Sequence, residues 1–344
     1  MAYIRRMATC GTTIIGNTPM LKLKNVVAGT KANIAVKMEY INPSGSLKDR
    51  MASYLLERAE KAGKIRPGET VLIEPTSGNS GIALAHCAAY KGYKAILVMP
   101  ASSSIERRML IKAYGAEVVL TRAEDGLGGA VRLSEALASR IPNAFYLDQF
   151  SDSANYEAHY MTTGPEIWSQ TNGEVKALLM GVGTGGTIVG IGKYLKKKNP
   201  DIMIVPIEPF ESSVLSGYAA GHHFIQGIGT GFIPNILDQS ILTTPIRITS
   251  AEAMQMARRL ATEEGILAGI ASGANVAAAI KLTQLPDYHD ELIVTIISSS
   301  GERYLSTDLY ADIKRELKER RAMDINESLE IVYNYLNNVH KSIK

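Results

Sequence analysis

The 344-residue chain is long enough for two domains and a sizeable core, with 46% hydrophobic and 21% charged residues as in an ordinary globular protein. Its net charge of +3 is spread along the sequence, which argues against a nucleic-acid-binding stripe; Lys196–Lys198 reads as a solvated helix end. Cys10 and Cys87 form neither a disulfide framework nor a metal spacing, the six histidines show no HExxH pattern, and no apolar run is long enough to span a membrane. Arg5 and Arg6 lack the apolar stretch of a secretory signal, so the expected compartment is the cytoplasm, with an organelle left open.

In chain order, Gly16-Asn-Thr-Pro19 marks a turn between short apolar stretches, and residues 33–39 alternate like a strand. Asn42-Pro-Ser-Gly-Ser-Leu-Lys48-Asp-Arg50 then forms a turn that opens a helix to about Ala62. From residue 71 strands and helices alternate: Val71–Ile73, a helix to Lys91 stopped by Gly92, Lys94–Met99, Ser104–Tyr114, Glu117–Leu120, Asp125–Ser139 and Ala144–Leu147. A helix around Thr162–Trp168 leads into a second alternating region: strand Ala177–Met180, helix Ile188–Leu195 and strand Ile202–Ile207. Residues 209–250 are loop-rich, with several glycines, followed by helices Ala251–Glu264 and Gly273–Leu282, strand Leu292–Ile297 and another helix after Gly301-Glu-Arg. This cadence implies parallel sheets covered on both faces, with strand-to-helix loops along one ligand-binding edge. After residue 320, Asp324 and Glu327 fit a capping box, and Leu329, Val332, Leu336, Val339 and Ile343 form one apolar stripe for packing on the body or on a second subunit.

Four motifs carry chemistry. Lys48 stands at a helix start, where the positive end of the dipole, aided by burial, disfavours its ammonium. An amine so placed suits Schiff-base chemistry, although an ordinary surface lysine after an N-cap serine has the same pattern. Gly181-Val-Gly183-Thr-Gly185-Gly186-Thr187 joins a strand to a helix and suits a phosphate. With Glu208, 22 residues beyond Gly186, it also reads as a dinucleotide fingerprint, or as a plain glycine-rich turn. Its two threonine hydroxyls favour an isolated phosphate over a pyrophosphate. Thr76-Ser-Gly-Asn-Ser80-Gly81 gathers donors at a helix N-terminus and suits a carboxylate, unless it is only a well-capped loop. Ser298–Ser300 ends a late strand, where a hydroxyl can meet a ring nitrogen or merely cap the next helix. One object fits all four: pyridoxal 5'-phosphate carrying an amino acid.

The sequence resembles the cysteine synthase (O-acetylserine sulfhydrylase) family, part of the β-family of pyridoxal-phosphate enzymes that includes cystathionine β-synthase. The matching stretches run in order over about residues 12–310: Gly16–Pro19, Asn42–Arg50, Glu74–Gly81, Met99–Met109, Gln149–Trp168, Gly183–Leu195, Glu208–Gly217, Gln226–Leu237 and Gly301–Ser306. The resemblance implies an α/β fold of two doubly wound open-sheet domains with the cofactor in the cleft between them, the tryptophan synthase β-like arrangement called fold type II. Residues 46–155 would form the smaller domain with a mobile, substrate-closing part, residues 12–45 and 156–320 the larger one, and 321–344 an amphipathic C-terminal helix. It further implies that Lys48 carries the cofactor and serves as acid and base, and that Asn79 bonds the ring hydroxyl. Gly183, Thr184, Gly185, Gly186 and Thr187 would cradle the phosphate, and Ser299 would face the pyridine nitrogen. Thr76, Ser77, Asn79, Ser80, Gln149 and Gly227 would bind the substrate.

A serine opposite the ring nitrogen cannot keep it protonated as an aspartate would, so the expected chemistry is β-elimination followed by addition: β-replacement on O-acetylserine, serine or cysteine, through an aminoacrylate. The simplest case makes cysteine from O-acetylserine and sulfide; β-cyanoalanine synthase, using cysteine and cyanide, is the nearest variant. A homodimer is implied. So is a site able to grip the C-terminal peptide of a partner such as serine acetyltransferase, which leaves a sensor or scaffold role open. Departures from the family pattern are Ser80 for threonine, Ser298-Ser-Ser300 for Pro-Ser-Phe, Ala101-Ser-Ser-Ser104 in the mobile region, and Thr230 for alanine. They bear on leaving group and nucleophile, not on the lysine.

Overall fold

The computed structural model describes residue 7, residues 10–76 and residues 78–342, with side chains of the last helix described to residue 336. The elements follow in chain order as β1 (Met20–Lys22), β2 (Asn33–Met38), α1 (Lys48–Lys61), β3 (Val71–Pro75), α2 (Asn79–Lys91), β4 (Lys94–Pro100), α3 (Ile105–Ala113), β5 (Glu117–Thr121), α4 (Gly126–Ala138) and β6 (Ala144–Tyr146). They continue as α5 (Ala154–Met161), α6 (Thr163–Gln170), β7 (Val175–Gly181), α7 (Gly186–Lys198), β8 (Met203–Pro209), β9 (Ile246–Ile248), α8 (Ser250–Glu264), α9 (Ile270–Thr283), β10 (Leu292–Ile297), α10 (Ala311–Glu319) and α11 (Ile325–Ser342).

Two sheets result. One has four strands in the order β5-β4-β3-β6, all parallel. The other has six, β1-β2-β10-β7-β8-β9, parallel except that β1 runs against β2. Successive strand residues point to opposite faces, and both faces of the smaller sheet are apolar. Leu72 and Leu97 pack with α1 and α2 residues such as Leu56 and Ile82, whereas their neighbours Ile73 and Val98 pack on Ala130 of α4. Helices on both faces define the doubly wound α/β class expected. In the larger sheet Leu178, Ile204 and Val294 bury against Ile188 and Ile191 of α7.

Contacts divide the chain into two compact units, Met1–Leu309, which holds both sheets, and Tyr310–Lys344, which holds α10 and α11. In the second unit Asp324 Oδ1 accepts from the Glu327 amide at 2.9 Å, and Glu327 returns a carboxylate oxygen to the Asp324 amide at 3.2 Å, the expected capping box. Leu329, Val332 and Leu336 of the apolar stripe are exposed. The Val339 side chain and Ile343 lie outside the described residues.

Local structure adds to or departs from the sequence reading at three places. The helix expected around residues 162–168 is present as α6, but a separate helix that was not expected, α5, precedes it; the two part at Thr162, whose backbone leaves the helical region while its hydroxyl bonds back to Ala158 O at 2.6 Å. Pro165, which lacks an N–H, then falls in the first turn of α6, where no intrahelical partner is lost. The loop-rich stretch 209–250 contains β9, a three-residue edge strand too short to show a period. The helix expected after Gly301-Glu-Arg is a single 3₁₀ turn, Gly301–Tyr304. The buried side chains of Arg303 and Tyr304 hold it there through tertiary bonds described below.

Candidate active site

The lysine turn is fixed by its neighbours on both sides. Asp49 turns back to accept the Ser44 amide at 2.6 Å and the Ser44 hydroxyl, and Asn42 Oδ1 accepts the Gly16 amide at 2.8 Å. Next along the helix, Arg50 makes paired bonds to Glu39 (2.7 and 2.8 Å) and to Glu166 (2.7 and 2.8 Å), and Lys37 joins Glu166 at 2.7 Å. Burial favours a neutral Glu39, but the charge and hydrogen bonds of Arg50, with Thr18, hold its carboxyl down at about 2. On the other side, Leu47 N donates to Ser298 O at 3.0 Å, Ser300 N donates to Gly45 O at 3.1 Å, and Ser46 bridges to Ser299. The turn that carries Lys48 is thereby stitched to the end of β10.

The β7–α7 loop approaches from the same sheet. Lys48 Nζ lies 3.5 Å from Thr184 Oγ1, which also accepts from Asn155 Nδ2 at 3.0 Å. Thr187 Oγ1 meets His159 Nε2 at 3.2 Å; burial depresses this imidazole to about 3, so it is neutral. Gly183 has no room for a side chain, because a Cβ there would sit 2.5 Å from Gly227 O. The first-turn amides of α7 have no intrahelical acceptor, which suits this helix start to an anion. Burial alone brings the Lys48 amine down to about 8.

The smaller sheet supplies the opposite wall. Thr76 Oγ1 accepts the amides of Gly78 and Gly81, both at 2.9 Å, and so shapes the β3–α2 loop. Asn79 opens α2, and its Oδ1 accepts from Arg303 Nη1 at 2.8 Å. Gln149 gives one Nε2 hydrogen to Pro75 O at 2.9 Å, while its buried Oε1 has no hydrogen-bond partner among the described residues.

These walls enclose a cavity of about 590 Å³, the size of a small-molecule site. Lys48, Asn79, Ser80, Gln149, Gly183, Thr184, Gly185, Thr187, Gly227 and Ser299 line it. Thr76 and Gly186 do not: the first builds the loop from behind, and the second packs against Asn155. Ser77 lies outside the described residues. Glu208 is not a ribose ligand. Its carboxylate accepts the amides of Leu215 (2.8 Å) and Ser216 (3.0 Å) and the Ser216 hydroxyl, which removes the acid from the dinucleotide reading.

Arg107, Arg303 and Tyr304 were given no role on sequence grounds. Arg303 Nη2 donates to Ser44 O at 2.7 Å, the Arg107 guanidinium lies 5.0 Å over the Tyr304 ring, and Tyr304 Oη meets Ser299 Oγ at 3.0 Å. Arg303 and Tyr304 fall within a quoted motif, but only the fold shows that their side chains turn inward.

A lysine of lowered pKa, set in one cavity beside a hydroxyl-bearing loop that opens a helix and holds a sterically closed glycine, fits a phosphorylated aldehyde. The class is that of the pyridoxal-phosphate dependent enzymes, and the family model so described matches residues 11–299. "Cysteine synthase 3" of Caenorhabditis elegans is 53% identical over 94% of this chain and 96% of its own length. "Cysteine synthase" of Staphylococcus aureus strain Mu50 is 51% identical over 87% of this chain and 96% of its own. The crystal structure of cysteine synthase from Entamoeba histolytica superposes with a TM-score of 0.85 at 38% identity, covering 94% of this chain and 95% of that one. The chain belongs to the cysteine synthase family.

Proposed function

We propose that the protein catalyses β-replacement on O-acetylserine: acetate leaves the β-carbon, sulfide adds there, and cysteine is released. The observation that carries this reading is the 3.5 Å approach of Lys48 Nζ to Thr184 of the phosphate loop inside one cavity. When bound, pyridoxal phosphate supplies the electron-withdrawing ring that acidifies the substrate α-carbon. Lys48 holds the cofactor and, with an amine poised near neutrality, takes and returns the α-proton. Gly183, Thr184, Gly185 and Thr187 bind the phosphate through loop amides and two hydroxyls, while Gly186 lets the start of α7 pack against Asn155 behind them. Asn79 bonds the ring hydroxyl and Ser299 the ring nitrogen. Ser77, Ser80, Gln149 and Gly227 receive the substrate, with Thr76 ordering their loop.

Residues 46–155 act as the smaller, closing domain; all four strands of the smaller sheet lie within them. The working form is a homodimer in the cytoplasm, and the free thiols of Cys10 and Cys87 suit a reducing compartment. No helix among the described residues is long and apolar enough to cross a membrane. The donors at the start of α2 also suit the C-terminal carboxylate of a partner such as serine acetyltransferase.

Purified protein is tested with O-acetylserine plus sulfide and, separately, with cysteine plus cyanide. Faster turnover is expected in the first reaction, since no observation favours cyanide. Turnover in neither would overturn the reading.

A further inference from the structure

Ser299 is held by its backbone from two sides, through the bridge to Ser46 and through the Gly269 amide, which donates to Ser299 O at 3.0 Å. Its hydroxyl alone is left to rotate. A serine hydroxyl has one hydrogen and two lone pairs, so its partners decide whether it donates or accepts toward a ligand. Among the described residues the partner of Ser299 Oγ is Tyr304 Oη, at 3.0 Å, with both side chains buried. The contact requires a missing side chain nearby. A Cβ at Gly269 would stand 2.6 Å from Ser299 Oγ and 2.5 Å from Tyr304 Cε2.

We infer that Tyr304 is a positioning residue: its phenol donates to Ser299 Oγ and so commits the serine hydrogen to the cavity. The inference rests on Ser299 being the partner of the cofactor ring nitrogen, and it assigns the direction of that bond. The direction follows from charge. The guanidinium of Arg107 lies over the Tyr304 ring, and Arg303 adjoins it in sequence. Burial works against ionisation of the phenol, but the positive charges of Arg107 and Arg303 favour loss of its proton, and it lies below its ordinary value. A phenol made more acidic is the better donor of the pair. Ser299 then accepts from Tyr304 and donates inward, to a nitrogen that carries no proton. Arg107 belongs to α3 beside the smaller sheet, whereas Ser299 and Tyr304 follow β10 of the larger one. The larger of the two charge contributions therefore comes from across the cleft.

The test uses full-length wild type, Ser299→Ala, Tyr304→Phe and the double variant, each loaded with pyridoxal phosphate carrying ¹⁵N in the ring. Solid-state NMR reads the nitrogen shift, and quenching of Trp168, the single tryptophan, reads coenzyme affinity. Ser299→Ala is expected to move the shift toward that of an unbonded nitrogen and to weaken binding roughly tenfold. Tyr304→Phe should move it the same way by a smaller amount, with the double variant no worse than Ser299→Ala. Site-specific 3-fluorotyrosine at 304, a stronger donor that keeps the ring, should move the shift the opposite way; it decides the matter if the Phe variant does not fold. An unchanged shift and affinity in Tyr304→Phe, no response to the fluorinated residue, or additive losses in the double variant would overturn the inference while leaving Ser299 in place. An unchanged shift in Ser299→Ala would overturn the ring-nitrogen reading itself, and the inference with it.

Discussion

Arg50 shows how much of the site is held from behind. The residue is 3% exposed, and its guanidinium engages two carboxylates, of which Glu39 is fully buried. Replacing it with Met keeps the bulk and strands Glu39, so Arg50→Met should lose about 3–5 kcal/mol in urea unfolding. The Glu39 carboxyl sits at about 2 in the fold against an ordinary 4.5. Its stabilisation is present above the ordinary value and fades as pH falls toward 2, so the gap between variant and wild type should narrow in acid. Glu74, at the end of β3, is the opposite case. Burial pushes its carboxyl up to about 8 against the bonds it accepts from Gln149, and the nearby Asp148 adds to the rise. A group raised in the fold contributes most below its ordinary 4.5 and loses that contribution as pH rises toward 8. Glu74→Gln keeps the shape without the titration. Its melting temperature should match wild type at pH 5 and exceed it at pH 9; a deficit at both would show that the carboxyl does more than stay neutral.

At the scale of elements, the loops do the chemistry and the sheets position them. The β7–α7 loop was legible because glycines and threonines interrupt two apolar runs, a pattern with a local cause. Gly183→Ala tests that cause. The added methyl would meet the backbone oxygen of Gly227 at 2.5 Å, and backbone cannot swing aside as a side chain can. Coenzyme binding should weaken and kcat/KM fall by about 100-fold, with helicity retained in circular dichroism. Retained affinity would mean that the loop is not the phosphate cradle. The break at Thr162 and the short β9 escaped the periodicity because each is settled by one hydroxyl bond or one edge pairing. The 3₁₀ turn at Gly301–Tyr304 escaped for a larger reason: Arg303 reaches Asn79, 224 positions away, and nothing in the local pattern announces such a contact.

Across the whole molecule, two sheets face one cavity and are clasped beside it. Ser104 Oγ donates to Arg303 O at 3.2 Å, and Glu106 accepts the amide and hydroxyl of Ser306, both at 2.6 Å. The alternation of strands and helices made the layers legible in the sequence, and the four loops fell at strand ends as the topology requires. Their convergence was legible only as a chemical coincidence, one cofactor fitting four unrelated motifs; the distances come from the fold. The account depends on Lys48 and the phosphate loop, 136 residues apart, serving one bound coenzyme. Borohydride reduction of the pyridoxal-phosphate-loaded protein, followed by peptide mapping, tests this most directly. The coenzyme mass should be fixed on the peptide bearing Lys48 and absent from Lys48→Ala. Fixation on another lysine, or none at all, would contradict it.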